Sequence, residues 1–214
     1  MPRSRINRRD IRSRSKRMDR VIAASDQPRA YDPVIRAIHW ATLALIAATF
    51  AAVWLADPAF VGGSNVRSVV QIHRSLGLTV AALTVFRLLW RRKARIPPLP
   101  SDLPAAQKMA ARGVEGLIYL LLLGQPTVGL LYTNAYGLRA NLFFLGELPA
   151  IIGRDRPFGA ELGAIHSFLG YSLLILIGIH AAAALFHHFV RRDGVLDAML
   201  PARLRRNPSS GIAK

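Results

Sequence analysis

Cysteine is absent from all 214 residues of the chain. Without thiolates the chain has no disulfide framework, iron–sulfur cluster or zinc–thiolate site of its own. A secretory signal peptide, which needs an apolar core of about 7 to 15 residues, is also missing from the first 30 residues. That segment instead carries ten Lys or Arg against three Asp, so we expect residues 1–30 to form a disordered basic tail.

Acidic side chains are scarce, because 12 Asp and Glu stand against 29 Lys and Arg and leave a formal net charge of +17. The basic residues flank long apolar runs and do not cover a soluble face, which excludes nucleic acid as the expected partner and favours a lipid bilayer. Carboxylates are nearly absent inside the apolar runs. A cation transporter, which would need them, is therefore a poor interpretation.

Four long apolar runs predict an all-α integral membrane protein built as a four-helix bundle. Each run is long enough for a helix to cross a hydrocarbon core of about 30 Å, and 52% of the chain is hydrophobic. Asp32 followed by Pro33 is typical of a helix start. In the longest loop, residues 133–158, we expect a short interfacial helix within residues 142–152. The spans are predicted at about residues 35–56, 66–90, 113–132 and 162–190.

The distribution of Lys and Arg predicts that both termini are cytoplasmic. The N-terminal tail, residues 91–112 and the segment after residue 190 hold 22 of these cations. The other two loops hold four, namely Arg67, Arg139, Arg154 and Arg156. We therefore expect a membrane domain over residues 31–201 and a cytoplasmic C-terminal tail over residues 202–214.

All six histidines lie in or at the edge of the predicted spans. Ionisable side chains are costly inside a bilayer and usually functional there. His166 and His180 are 14 residues apart, which places them roughly 21 Å apart along one stripe of the fourth helix. Counted from the same side, the depth of His39 matches that of His180, and the depth of His73 matches that of His166. Hydrogen bonding within the bundle would explain one such histidine, but four at matched depths favour metal centres.

Two imidazoles at each of two levels predict two haem b groups. A six-coordinate haem iron takes two axial ligands, whereas a tetrahedral zinc site would require four ligands at one level. We expect His39 and His180 to bind one iron and His73 and His166 the other. Arg87 lies 14 residues after His73 and points into the same interior, where it would pair with a haem propionate or else snorkel to lipid headgroups.

Short motifs in each of the four spans carry a resemblance to a known family. They are Ala37–Trp40, His73 with Gly77, Arg87–Leu89, Ile118–Leu120, Pro126–Gly129, His166 with Gly170–Tyr171, and His180–His188. On these motifs the segment from Tyr31 to Pro201 resembles the bacterial cytochrome b561 family of four-helix dihaem membrane cytochromes, and most of all its superoxide-oxidising branch. Glu115 departs from the family pattern, which has a histidine there in several members.

The resemblance implies the same pairing of histidines and a place in the bacterial inner membrane. It also implies an enzyme, a superoxide:ubiquinone oxidoreductase, in which superoxide is oxidised to dioxygen outside and the electrons reduce ubiquinone in the membrane. The alternative function is a haem b membrane anchor that passes electrons to quinone from a periplasmic dehydrogenase or hydrogenase subunit. Four spans and short external loops favour the self-contained enzyme.

Three further residues receive roles under the implied reaction. Arg74, directly after His73, and Arg154 are assigned to the external side, where a positive field would attract superoxide. His187 lies about 10 Å beyond His180 on nearly the same helix face. It is a candidate to hydrogen-bond a quinone carbonyl and deliver a proton, with a contact to a propionate or headgroup as the alternative.

Overall fold

A computed structural model describes residues 30–56, 66–143 and 145–205 of the chain. Its four long helices are α1 (Pro33–Leu55), α2 (Val66–Arg91), α3 (Ala105–Ala135) and α4 (Arg156–Phe186). A π-helical turn, His187–Arg191, continues α4, and a 3₁₀ turn covers Ala202–Leu204. The expectations for the N-terminal tail, for the loop between α1 and α2 and for the chain beyond residue 205 lie outside the described residues.

The four helices are long and apolar enough to cross a membrane. Large apolar side chains are exposed along their outer faces, as expected where the surroundings are lipid and not water. Examples are Trp54, Phe86, Phe168 and Ile175. The predicted all-α, four-helix membrane architecture is confirmed, and the orientation of the termini stays a prediction.

The closely packed helix pairs are α1 with α2, α2 with α3, and α3 with α4. A small apolar core lies at mid-height, where Val80 of α2 packs against Leu121 and Leu122 of α3 and Leu173 of α4. Neither α1 with α4 nor α2 with α4 belongs to the closely packed pairs. Space therefore remains between these helices above and below the core.

The connections define two ends of the bundle. Residues 92–104 and 192–205 lie at one end, called here the basic end, and residues 136–155 lie at the other, called the loop end. At the basic end the chain after α4 folds back over the start of α1, where the Tyr31 amide donates to Ala198 O at 3.1 Å and Trp40 Nε1 donates to Met199 O at 3.1 Å. This contact joins the first and last parts of the membrane domain.

The start of α1 follows the predicted cap. Asp32 Oδ1 accepts hydrogen bonds from the amides of Val34 and Ile35, at 2.8 and 3.4 Å, and Pro33 is the first helical residue. The start of α3 is a correction, because this helix begins at Ala105 and not near Gly113. The additional turns consist mainly of Ala, Gln, Lys and Met, which favour helix without being apolar enough to register as membrane span.

The interfacial helix expected within residues 142–152 is wrong for the described part of this loop. Asn141 and Glu147 instead form an isolated antiparallel bridge, and Phe143 and Gly146 adopt positive φ values of 50° and 112°. The Asn141 carbonyl accepts hydrogen bonds from Gln71 and Ser75 of α2, at 2.7 and 2.8 Å. The apolar side chains of this loop therefore belong to a turn that is tied down onto α2.

Candidate functional site

Four histidines meet in two pairs across the spaces beside α4. His39 of α1 faces His180 with ring centroids 6.3 Å apart, and His73 of α2 faces His166 with ring centroids 6.1 Å apart. An imidazole nitrogen binds a transition metal at about 2.0 Å, so two rings that share one metal have centroids about 6 Å apart. The structure thus brings together the same two pairs that helix depth predicts, at a separation that suits one metal between each pair.

The two imidazoles at each level suit a metal whose other ligands come from a bound cofactor. Among the residues that the structure describes, no group of three or more His, Cys, Asp or Glu side chains is placed to hold a metal ion. A bare zinc site would require four such ligands, whereas haem iron has four macrocycle nitrogens and needs two axial ligands. Two imidazoles per level therefore fit haem.

The ring of His73 is held in one tautomer. Its Nδ1 lies 2.9 Å from the carbonyl oxygen of Thr49. A carbonyl only accepts, so Nδ1 carries the hydrogen and the lone pair is on Nε2. A backbone carbonyl behind a ligating histidine is the usual way to orient such a ring and to raise its basicity. His73 is thereby prepared to bind a metal through Nε2.

A cavity of about 370 Å³ lies beside His73 and His166, within the range of about 300–1,000 Å³ that is usual for cofactor pockets. Gly129 of α3 lines this cavity and leaves room for the imidazole ring of His166, because a Cβ atom at this position would lie 2.8 Å from His166 Cε1. Tyr132 stacks on His166 with ring centroids 6.3 Å apart and an interplanar angle of 24°. These contacts fix the His166 ring at the loop end.

Arg87 lies at the level of the other pair and contacts it. Its Nη1 is 3.3 Å from His39 Nδ1, and its guanidinium carbon is 5.6 Å from the centroid of the Tyr119 ring. Its Nε is buried and has no hydrogen-bond partner among the described residues. A partly buried guanidinium with an unused donor, directly beside a histidine pair, is a place for an anionic group such as a haem propionate.

The description "prokaryotic cytochrome b561" belongs to a family model that matches residues 30–202. The chain belongs to the prokaryotic cytochrome b561 family. It is 30% identical over 178 residues to cytochrome b561 homolog 2 of Escherichia coli (strain K12), a match that covers 82% of this chain and 94% of the relative.

Two further relatives agree with this assignment. Cytochrome b561 homolog 1 of the same organism is 29% identical over 166 residues, covering 78% of this chain and 94% of the relative. The probable superoxide oxidase CybB of Yersinia pestis is 29% identical over 167 residues, covering 78% and 93%. Family membership and the four spans make the chain a multi-pass membrane haem protein of the bacterial inner membrane, with haem b as its cofactor and electron transfer as its chemistry.

A polar cluster surrounds the helix ends next to Arg87. Arg91 forms a salt bridge with Glu115 and lies 3.4 Å from the hydroxyl of Tyr119. Tyr31, which precedes α1, lies near this cluster. Burial and the Glu115 carboxylate raise the pKa of the Tyr31 hydroxyl, so the phenol stays neutral. Glu115 thus has a cation as its partner and compensates part of the charge of the two arginines.

His187, the quinone candidate, is part of a charged network at the basic end. The Nδ1 atom of His187 is 2.5 Å from Asp193 Oδ2. Arg191 Nε donates to the same oxygen at 3.2 Å, and Arg191 Nη2 donates to Asp102 Oδ2 at 2.6 Å. Burial acts to raise the pKa of Asp193, but the hydrogen bonds from His187, the Val195 amide and Arg191 outweigh it and leave that pKa below its ordinary value. The ionised carboxylate therefore holds the His187 ring in place.

The two candidates for superoxide attraction differ in position. Arg74 lines the cavity beside His73 and His166, and its Nη1 lies 3.4 Å from Gln71 Oε1. Arg154 packs its aliphatic chain over Gly137, where a Cβ atom would be 3.2 Å from Arg154 Cδ. Both lie at the loop end, but Arg74 is the one beside the histidine pair.

Sequence reasoning missed most residues that position the histidine rings. The Thr49 carbonyl leaves no signal in the sequence, because any residue would supply it. A signal does exist for three residues of the Leu-rich helix α3, namely Gln125, Gly129 and Tyr132. They are spaced by four and then three residues, so they lie on one face of the helix, where they interrupt the leucines. Gln125 Nε2 donates to the His166 carbonyl at 2.8 Å, so this stripe faces α4.

Proposed function

We propose that the chain is a superoxide:ubiquinone oxidoreductase with two haem b groups. His39 and His180 would hold one group at the basic end, and His73 and His166 the other at the loop end. The observation that carries the proposal is the pair of facing imidazoles at each of two levels, because both levels take one ligand from α4. Fourteen residues separate these two ligands, about 21 Å along the helix.

The reaction requires one-electron steps on one side and a two-electron product on the other. When bound, haem b supplies a one-electron carrier at each level. Two superoxide ions give up one electron each and become two dioxygen molecules, and ubiquinone takes two electrons and two protons to become ubiquinol. Held by two histidines at each level, haem b would supply electron transfer and not dioxygen binding.

Arg74 would attract superoxide to the loop end. The described residues near this end include five arginines (Arg67, Arg74, Arg139, Arg154 and Arg156) against three carboxylates (Glu147, Asp155 and Glu161). The Arg139–Glu147 pair is 3.8 Å apart and well exposed, so it adds little to the field. A positive field over an apolar cavity raises the encounter rate of a small anion. The distribution of basic residues supports a periplasmic loop end and a cytoplasmic basic end.

His187 would deliver a proton to the quinone at the basic end. Asp193 accepts the Nδ1 hydrogen of His187, so in the imidazolium form of the ring the Nε2 hydrogen would be the one to donate to a quinone carbonyl. We expect His187→Ala to slow reduction of ubiquinone while the haem content stays unchanged. Unchanged quinone kinetics in this variant would remove His187 from the quinone site.

The decisive measurement is the reaction of the purified protein with a pulse of superoxide, followed by haem absorbance. Superoxide should reduce the protein without any partner subunit, and the second-order rate constant should fall as ionic strength rises. Arg74→Gln and Arg154→Gln should each lower that rate several-fold without loss of haem. Arg92→Gln removes the same charge at the basic end and serves as the matched control, with the rate unchanged.

One outcome would replace this function by another. Reduction no faster than spontaneous dismutation, in a protein with two intact haems, would contradict superoxide as the donor. It would support the membrane anchor that accepts electrons from a periplasmic dehydrogenase or hydrogenase subunit. Reduction of the haems by such a subunit, and not by superoxide, would then be the expected result.

A further inference from the structure

A second pocket lies at the basic end, apart from the histidine pairs. The C-terminal strap, defined as residues 195–205, folds back over the start of α1 and leaves a pocket of about 510 Å³ between the two. Apolar and cationic side chains alternate around it. The lining consists of Pro33, Arg36, Ala37, Trp40, Pro201 and Arg203.

In the described part of the chain, the cations around this pocket have no carboxylate in salt-bridge contact. Arg36 Nη1 and Arg205 Nε both donate to the carbonyl of Leu200, at 2.8 and 3.1 Å. Arg36 Nε is buried and has no hydrogen-bond partner among the described residues. Within that part of the chain, none of the ion pairs includes Arg36, Arg203 or Arg205, whereas Arg91, Arg139 and Arg191 each pair with a carboxylate. Among the described residues, therefore, no ion pair compensates the charge at the pocket.

The pocket also presents apolar surface to the bilayer. Trp40 is 38% exposed and donates its Nε1 hydrogen to Met199 O, while Leu204 on the strap is 61% exposed. A tryptophan with its ring toward lipid and its N–H toward a polar segment is typical of the membrane interface. A ligand here would meet guanidinium groups and hydrocarbon at once.

We propose that this pocket binds an anionic phospholipid, with its phosphate against Arg36 and Arg203 and an acyl chain along Ala37 and Trp40. Guanidinium groups match the phosphate oxygens in geometry and charge, and they meet it here beside an apolar surface. A bound lipid joins the strap to α1, one turn from His39, whose ring lies 5.4 Å from that of Trp40. The proposal does not depend on the electron donor or acceptor.

Native mass spectrometry of the haem-loaded protein tests the site with phosphatidylglycerol and phosphatidylcholine as probes. We expect one phosphatidylglycerol to bind at least about tenfold more tightly than phosphatidylcholine. Arg36→Gln combined with Arg203→Gln should remove that preference. The control combines Arg92→Gln with Arg95→Gln, two exposed cations at the same end with no place in the pocket. It should keep the preference.

Arg203→Glu is a second variant that leaves the Arg36 bond to the strap intact. It should weaken phosphatidylglycerol binding with unchanged haem content, which separates lost binding from lost folding. Equal affinity of wild type and both pocket variants would overturn the proposal, as would equal weakening in the Arg92 and Arg95 control. Displacement of the lipid by an equal concentration of inorganic phosphate would assign the pocket to free phosphate and also overturn it.

Discussion

The two histidine pairs present the same imidazole groups in different surroundings. At the loop end, His73 has its tautomer fixed by the Thr49 carbonyl, and His166 lies between Tyr132 and the space left by Gly129, beside an apolar cavity. At the basic end, His39 is instead in contact with the guanidinium of Arg87. Packing and a backbone carbonyl hold the rings of the first pair, whereas a cation contacts the second pair.

The difference has a chemical consequence for the basic end. A guanidinium only donates hydrogen bonds, so the Arg87 contact makes His39 Nδ1 an acceptor and places the ring hydrogen on Nε2. Ligation through Nε2 requires the opposite tautomer. Under the proposed ligation by His39, Arg87 would therefore have to turn to another acceptor, and a propionate would be such an acceptor. No rearrangement of this kind is required of His73.

The largest expected effect comes from removing a ligand from either pair. With two haems bound as proposed, His166→Ala and His180→Ala should each reduce the haem content from two per chain to one, because the single remaining imidazole of that level would not hold the group. Pyridine-haemochrome analysis of the purified variants measures this content. Loss should be independent at the two levels, since the apolar core around Leu122 and Leu173 separates them.

Two results would contradict the two-centre arrangement. A wild-type protein with one haem would remove one pair from the proposal. Two haems in His180→Ala would show that this residue is not a ligand. His188→Ala is the matched control, because it removes an imidazole from the same end of α4 and should keep two haems.

A smaller effect should follow from adding one methyl group at the loop end. In Gly129→Ala the new Cβ would lie 2.8 Å from His166 Cε1, which is too close for the ring to stay in place. We expect partial loss or a spectral shift of the loop-end haem with the other haem unchanged. Gly124→Ala lies in the same helix, where a Cβ meets nothing within 4 Å, and should have a normal spectrum. Equal spectra for both variants would exclude a positioning role for Gly129.

How far the sequence predicts this site depends on the kind of contact. The depth of a residue in its span follows from the number of residues to the end of the helix, at about 1.5 Å per residue. The sequence alone therefore predicts that His39 pairs with His180 and His73 with His166. Contacts between helices depend on rotation and crossing angle, which hydropathy does not report. For this reason the contact between Gly129 and His166 and that between Arg87 and His39 required the structure.

Helix ends show the same limit. The cap at Asp32 is a local sequence pattern, and its prediction is confirmed. Hydropathy places the start of α3 eight residues too late, because it detects only the apolar part of a helix and misses the polar first turns. The loop turn at Phe143 and Gly146 was missed because its apolar side chains resemble those of an interfacial helix. Bonds from α2 to the Asn141 carbonyl determine that turn.

The smallest expected effect concerns the network of His187, Asp193 and Arg191 at the basic end. The pKa of Asp193 is lowered in the folded protein, so its carboxylate contributes stability above the unfolded pKa of about 4 and loses it as pH falls through the folded pKa. Asp193→Asn should lower the thermal midpoint at pH 7 by a few degrees, and this difference should shrink as pH falls below about 4.

Asp102→Asn is the control for that prediction, because Asp102 bonds the same Arg191 but is 67% exposed, and exposed ion pairs contribute little. Thermal loss of the haem absorbance at several pH values gives both midpoints. If the two variants have equal midpoints at pH 7, the His187–Asp193 bond does not stabilise the basic end. If the Asp193→Asn difference grows below pH 4, the carboxylate is not the form that holds His187, and the proton-delivery role proposed for that histidine loses its structural basis.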